Sequence, residues 1–150
     1  MKTRPMMLIA GLCLLLGAMA SAQEPQASPP PDPVVPLRAR LLDFSTVLSN
    51  EGFRLRDSFW SGRLEAGKPR RLAVNLFAGN SYWFCAAGTP EARPVVALYD
   101  PQGEPVTGLV YDGDGLTAVG VTAGATGRYV VEVKAPRGAA ADFCLIYLFK

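Results

Sequence analysis

Histidine is absent from all 150 residues of the chain. Catalytic triads of the Ser-His-Asp kind, Cys-His pairs and zinc sites that use histidine therefore cannot form within it. This absence weakens the case for most of the ordinary hydrolase chemistries. We predict a protein that is not an enzyme and that holds no cofactor.

Runs of basic residues are also missing. Two of the 15 basic residues, Lys2 and Arg4, lie near the start, so residues 23–150 hold 13 basic and 13 acidic residues and have a formal charge of zero. A nucleic-acid binder is expected to carry a cationic surplus, and a patch for anionic membranes a Lys/Arg run. We therefore predict neither partner. The most basic segment, residues 54–71, is interpreted as a charged edge strand, with contact to an anionic envelope polymer as the alternative.

The first 22 residues have the pattern of a secretory signal. Lys2 and Arg4 precede an uninterrupted apolar stretch over residues 6–20, and small residues end at Ala22. These are the charged region, the apolar region and the cleavage site of a signal peptide. The apolar stretch is shorter than the about 20 residues that a spanning helix needs. We expect a periplasmic or secreted protein with no stable membrane span after cleavage.

A linker and a helix are predicted next. Residues 23–36 contain six prolines, which deny the segment regular hydrogen bonding and predict an extended linker. Beyond it, apolar residues recur at intervals of four, three and four residues, which is one stripe of an α-helix. We predict this helix over residues 37–52, packed on the following domain. The stripe consists of Leu37, Leu41, Phe44 and Leu48.

From residue 53 to residue 150 the pattern is typical of β-strands. Short β-rich runs alternate with turn residues at intervals of about ten residues, which predicts an all-β sandwich or barrel. In one run Leu72, Val74 and Leu76 alternate with polar or small residues, so one side of that strand should face a core. The candidate strands are residues 59–64, 71–76, 81–86, 95–100, 105–111, 116–122, 129–134 and 142–149.

Four short motifs follow one another along this region: GRLEAG at 62–67, LFAGNSY at 76–82, ALYDPQG at 97–103 and TGRYVVEV at 126–133. In this order and spacing, residues 41–150 resemble the bacterial pre-peptidase C-terminal domain family and its free-standing exported relatives. The resemblance implies a jelly-roll-like β-sandwich of about eight strands, without catalytic activity, that serves for binding or targeting. Residues 88–94 depart from the family's pattern, which often has aspartates there, so calcium binding is not carried over.

Cysteine is scarce. Cys13 lies in the predicted signal peptide, which leaves Cys85 and Cys144 in the exported chain. An even pair in an oxidising compartment predicts a structural disulfide. Neither cysteine belongs to a CxxC motif, so a redox function is not favoured.

The segment Asp112-Gly113-Asp114-Gly115 permits three interpretations. Alternate carboxylates are a fragment of a calcium loop, which makes Asp112 and Asp114 weak metal-ligand candidates. A plain hairpin turn is favoured, because the residues that follow are apolar and supply no further ligand. The third interpretation is an enzyme in which Asp112, Asp114 or Glu65 acts as general acid or base, as in glycoside hydrolysis.

Aromatic residues offer a candidate ligand contact. Trp60, Tyr82 and Trp83 could form a platform on which sugars stack, or they could fill the core. Because Tyr82 and Trp83 are adjacent on a predicted strand, they must point to opposite faces. At most one of those two can therefore join such a platform. We take Trp60 and Trp83 as the candidate contacts, with Trp83 on the same face as Cys85.

These observations favour an exported binding or interaction module of the cell envelope. Its expected partner is an envelope protein or a polysaccharide. Two alternatives stay open: a glycoside hydrolase-like enzyme that uses carboxylates, and a structural or assembly subunit that adds a strand to its partner through an exposed sheet edge.

Overall fold

The structure is a computed structural model that describes residues 31–89, 92–135 and 140–150. The predicted signal peptide and the first residues of the predicted linker lie outside these ranges. None of the described helical residues forms a segment long and apolar enough to cross a membrane.

A single helix precedes the sheets in the described part of the chain. Helix α1 spans Val34–Asn50, so it begins three residues before the predicted start at Leu37. The two prolines near its start are tolerated there, because the first N–H groups of a helix have no partner within it. The carboxylate of Asp32 accepts a hydrogen bond from the backbone N–H of Val34 at 2.9 Å.

The helix ends in a Schellman motif, two residues before the predicted end. Gly52 has a φ of 90°, which favours glycine. Its N–H donates to the carbonyl of Ser49 at 3.0 Å, and the N–H of Phe53 donates to the carbonyl of Leu48 at 3.1 Å. Phe53 and Leu48 are both buried in one apolar cluster, which is the hydrophobic contact that accompanies this motif.

Eight strands follow in two antiparallel sheets, which confirms the predicted all-β sandwich. One sheet has the order β1-β8-β3-β6-β5 and the other the order β2-β7-β4. Strands in the order β1-β8-β3-β6 in one sheet, packed on strands in the order β2-β7-β4 in the other, have the arrangement of a jelly roll. The strands are β1 (Arg54–Leu64), β2 (Arg70–Leu76), β3 (Ser81–Gly88), β4 (Val95–Tyr99), β5 (Leu109–Gly113), β6 (Leu116–Thr122), β7 (Gly127–Lys134) and β8 (Ala141–Phe149).

The predicted strand over residues 105–111 is divided between the two sheets. Pro105 bridges to Tyr99 of β4, and the N–H of Val106 donates to the carbonyl of Leu98 at 2.8 Å. The chain then crosses to the other sheet, where β5 pairs with β6 from Leu109 onward. This crossing leaves β5 as an edge strand, and it determines the surface described below.

Two apolar layers lie on opposite faces of the five-stranded sheet. Tyr82, Phe84 and Ala86 of β3 point into the space between the sheets. Trp83 and Cys85 point to the other face, which helix α1 covers. The alternation predicted for β3 therefore matches the structure, and the helix converts one outer face of the sandwich into a second core.

Candidate functional site

Helix α1 leaves part of the outer face uncovered. The helix packs on β8, β3 and β1. Beyond its last residue, a groove of about 550 Å³ lies between the segment that follows the helix and the start of β5, and we call it the Trp83 groove. Its floor includes Trp83 and Gly120, and Phe53 and Leu109 are among the residues on its two sides. Its volume falls within the range of small-ligand and peptide sites.

The floor of the groove depends on the glycine in β6. A Cβ atom at Gly120 would lie 2.6 to 2.9 Å from three atoms of the Trp83 indole, so the ring lies directly over this glycine. A second close approach occurs at Gly108. A Cβ atom there would clash with the Gly120 carbonyl oxygen, so there is no room for a side chain at Gly108. The two glycines therefore let the indole and the chain entering β5 approach the sheet.

Polar groups surround this aromatic floor. The Lys150 ammonium donates to the carbonyl of Glu51 at 3.3 Å and lies 4.5 Å from the centre of the Phe53 ring. On the sheet side, the hydroxyls of Ser81 and Thr122 are 3.0 Å apart and hydrogen-bonded. An apolar floor with hydroxyls and a cation at its edge suits recognition of a partner with mixed polarity.

Exposed apolar side chains continue from the groove along the sheet edge. Leu109 is 71% exposed, Val110 69% and Tyr111 41%. The Phe44 ring of the helix contacts Tyr111 with centroids 4.9 Å apart, and Val47, one turn further, is also exposed. We call these five residues the β5 patch. Leu109 and Tyr111 lie on the helix side of the sheet and Val110 on its other side, so apolar side chains are exposed on both faces of this edge, as at interaction surfaces.

The topology explains why β5 is exposed on both faces. Val110 is paired with Val119, whose side chain belongs to the core between the sheets. The second sheet ends at β4, however, so no strand of it lies over Val110. On the other face, Leu109 is opposite Gly120 and Tyr111 is opposite Ala118, and these small residues cannot cover their neighbours.

The structure separates the two predicted tryptophan contacts. Trp60 stacks on Tyr147 with centroids 5.6 Å apart and 14° between the ring planes. It packs against the core between the sheets. Trp83 packs on the opposite face, under the helix and in the groove. A joint platform of Trp60 and Trp83 is therefore wrong, because one sheet lies between them.

The predicted disulfide is not present in the structure. Cys85 and Cys144 are free and buried. They lie on neighbouring strands and share a face, but Cys85 is opposite Ile146 and Cys144 is opposite Ala87. This diagonal relationship places Cα atoms about 7 to 8 Å apart, whereas disulfides require about 4.4 to 6.8 Å. Burial raises the pKa of the Cys85 thiol to about 12 and raises that of Cys144 as well.

The two candidate aspartates lie at a hairpin. Asp114 and Gly115 both have positive φ, 52° and 73°, between the paired residues Gly113 and Leu116. A two-residue type I′ turn requires this backbone conformation. The geometry therefore matches the hairpin interpretation. Within the residues that the structure describes, no group of three or more His, Cys, Asp or Glu side chains is placed to hold a metal ion.

Of the three carboxylates considered for catalysis, Asp112 and Glu65 are ion-paired, and Glu65 is far from the two aspartates. Asp112 accepts a hydrogen bond from Arg93 at 3.1 Å. Glu65 accepts one from Lys68 at 2.6 Å, and this bond, with the charge of the ammonium, holds the pKa of Glu65 below its usual value. A general acid needs the opposite shift. Glu65 also follows β1, four strands from β5, which is roughly 19 Å, whereas catalytic pairs are about 5 to 10 Å apart.

Fold and site together define a jelly-roll sandwich with a helix on its outer face and a groove beside an apolar edge strand. No family model matches the chain, and no curated protein is significantly similar to it. Among solved structures, its fold is similar to that of PliG from Aeromonas hydrophila, a periplasmic lysozyme inhibitor of g-type lysozyme. The two are 18% identical, with a TM-score of 0.51, over 67% of this chain and 90% of PliG.

Proposed function

We propose that this chain is an exported, non-enzymatic binding module of the cell envelope that holds a protein partner in the Trp83 groove. The observation that carries the proposal is the groove itself, in which an indole floor is exposed between an apolar wall and a polar rim. Tryptophan is enriched among the residues that dominate binding energy at protein interfaces.

The fold supports a protein as the partner. PliG, which shares this architecture at low sequence identity, is by its description an inhibitor of an enzyme. The predicted signal peptide supports export to the compartment in which such partners occur. The resemblance of residues 41–150 to the pre-peptidase C-terminal domains also favours this proposal, because the free-standing relatives of those domains are binding or targeting modules. An envelope polysaccharide is the competing partner.

The electrostatics of the described residues support binding over catalysis. Glu65 and Asp112, two of the three carboxylates considered for acid-base chemistry, are engaged by Lys68 and Arg93, and the third, Asp114, lies in the β5–β6 turn outside the groove. Glu51 is the one acidic side chain among the described residues that line the groove. A single acidic side chain does not provide the pair of Asp or Glu residues that glycoside hydrolysis needs.

A groove variant with a matched control tests this proposal. In Thr122→Arg a long side chain replaces an exposed threonine inside the groove, and in Thr46→Arg the same change is made on the exposed side of the helix. Residues 23–150 of each variant are immobilised and exposed to envelope extract, and the retained proteins are quantified by mass spectrometry. Inhibition of a purified g-type lysozyme and sedimentation with purified peptidoglycan are measured in parallel.

We expect one or more envelope proteins to be retained by the wild-type chain and by Thr46→Arg, and to be lost with Thr122→Arg. Inhibition of the lysozyme, abolished by Thr122→Arg alone, would identify the partner's class. Retention by a folded Thr122→Arg variant would contradict the assignment of the groove. Binding to peptidoglycan without any protein partner would replace the proposal with the polysaccharide alternative.

A further inference from the structure

The four sheet edges differ in how they are protected. β1 carries Arg54, Arg56 and Arg63 and has an irregular register between Leu55 and Phe59. Charged side chains and bulges of this kind prevent edge strands from pairing with other chains. β1 is therefore a poor surface for strand addition.

Two further edges are also blocked. β2 begins with the exposed Arg70 and Arg71, which guard it by charge. The free side of β4 is covered at its last two residues, because Pro105 bridges to Tyr99 and the N–H of Val106 donates to the carbonyl of Leu98. β4 has one exposed large apolar side chain, Val95, and β2 has none, so neither edge presents a row of them.

β5 is the unprotected edge among the strands that the structure describes. It pairs only with β6, and its first three residues, Leu109, Val110 and Tyr111, are apolar and exposed. An exposed apolar edge strand is a template for a further strand. Its one charged residue, Asp112, is held by Arg93.

The residues of β5 are complementary to themselves in one register. When two copies run antiparallel with Val110 opposite Val110, Leu109 lies opposite Tyr111 on the helix side of the sheet. Asp112 then lies opposite Gly108, so the two aspartates are four positions apart, about 13 Å, and screened at physiological salt. Other registers match less well. With Tyr111 opposite Tyr111, each Asp112 would lie opposite a Val110, and with Leu109 opposite Leu109, each Tyr111 would lie opposite a Thr107.

The net charge and the N-terminal segment point to the same occupant. Residues 23–150 have a formal charge of zero, and proteins near zero charge associate more readily than strongly charged ones. The chain's own segment 23–36 is a poor occupant for this edge, because its six prolines have no N–H to donate. A second copy presents a strand of matching length and side chains.

We propose that two copies of this chain pair through their β5 strands in antiparallel orientation, centred on Val110, and form one continuous ten-stranded sheet. The helix of each copy then lies on the same side of the joined sheet. Leu109 of each copy packs on Tyr111 of the other, next to Phe44. The proposal does not rest on the proposed function. The joint and the Trp83 groove share Leu109, but Val110, at the centre of the joint, does not line the groove.

The molecular mass in solution tests the association. Sedimentation equilibrium of residues 23–150 over a range of concentrations should show twice the monomer mass. Val110→Lys places two ammonium groups opposite each other in the joint and should leave only monomer where the wild-type chain is dimeric. Val35→Lys is the matched control, because Val35 is 63% exposed at the start of the helix, and it should remain dimeric. A monomeric wild-type chain, or a folded dimeric Val110→Lys variant, would overturn the proposal.

Single cysteines test the register independently of stability. Directly opposed residues have Cα atoms about 4.5 to 5.5 Å apart, within disulfide range. Val110→Cys should therefore form a covalent dimer under mild oxidation, whereas Asp112→Cys should not. Cross-linking through Asp112→Cys instead would show that the register is wrong. Val110→Lys should retain the partner of the Trp83 groove and Thr122→Arg should remain dimeric, so failure of one proposal is distinguishable from failure of the other.

Discussion

Cys85 and Cys144 lie side by side under helix α1, on one face of neighbouring strands, but two register positions out of alignment. Both side chains are fully buried. Oxidation to a disulfide would require the two strands to shift or the side chains to strain. Burial also stabilises their protonated forms, which are the unreactive ones.

Thiol titration should therefore give different counts in the folded and unfolded protein. With residues 23–150 purified without reductant, a thiol reagent should modify no cysteine in the folded state, because both sulfurs are inaccessible. After unfolding in denaturant, again without reductant, it should modify two per chain. A count of zero after unfolding would show that the bridge predicted from the sequence forms despite the register.

The raised pKa of Cys85 predicts lower stability at high pH. The thiol has a pKa of about 12 when folded, against a usual value of 9.0. Above pH 9 the unfolded chain loses this proton while the folded chain keeps it, so the free energy of unfolding falls with pH until about pH 12. At pH 10 the expected loss is on the order of 1 kcal/mol.

The Cys85→Ala variant separates this effect from other groups that titrate at high pH. Urea unfolding at pH 7.5 and at pH 10 should show a smaller pH-dependent loss in the variant than in the wild-type chain. The comparison uses the change between the two pH values, so a uniform destabilisation by the substitution does not affect it. Equal losses in both proteins would contradict the assigned pKa.

The sequence predicted this face of the sheet better than it predicted the register. Strict alternation in β3 placed Trp83 and Cys85 together, since successive side chains in any strand point to opposite faces. The residue of β8 that lies opposite Cys85 is Ile146, 61 positions further along the chain, and no local pattern encodes that pairing. The sequence therefore placed Cys85 correctly on the face of Trp83, whereas the bridge that it predicted to Cys144 is not present in the structure.

The candidate site shows the same division between local and distant information. Trp83 was selected from its residue type, but the glycine that makes room for its ring, Gly120, lies on another strand. The exposed edge was missed because Leu109, Val110 and Tyr111 appear as an ordinary apolar strand. Their exposure arises from the crossing after Val106, where the chain leaves one sheet for the other.

Gly120 should be essential for the floor of the Trp83 groove. In Gly120→Ala the added methyl would lie 2.6 Å from the Trp83 ring, so the indole must move, at a cost of about 1 to 3 kcal/mol. We expect a lower urea midpoint and an altered tryptophan emission maximum, measured in a Trp60→Phe background so that only Trp83 reports.

The control for that substitution is Gly124→Ala. An added Cβ atom at Gly124 meets nothing within 4 Å, so stability and emission should stay near the wild-type values. If Gly120→Ala behaved in the same way, the close contact between the indole and β6 would be contradicted. The groove would then lack the floor on which the proposed function depends.

Adjacent leucines in helix α1 measure how much the outer core stabilises the domain. Leu41 is fully buried against the sheet, whereas Leu42 is 39% exposed. Leu41→Ala removes a side chain that the surrounding residues cannot replace and should lower the free energy of unfolding by about 2 to 5 kcal/mol. Leu42→Ala should change it by about 0.5 kcal/mol or less. Urea unfolding of both variants gives the comparison, and similar losses of free energy from the two would mean that the helix does not dock through the Leu41 side.

Because Phe53 follows this helix and forms one wall of the groove, Leu41→Ala should also weaken retention of the groove's partner, while Leu42→Ala should not.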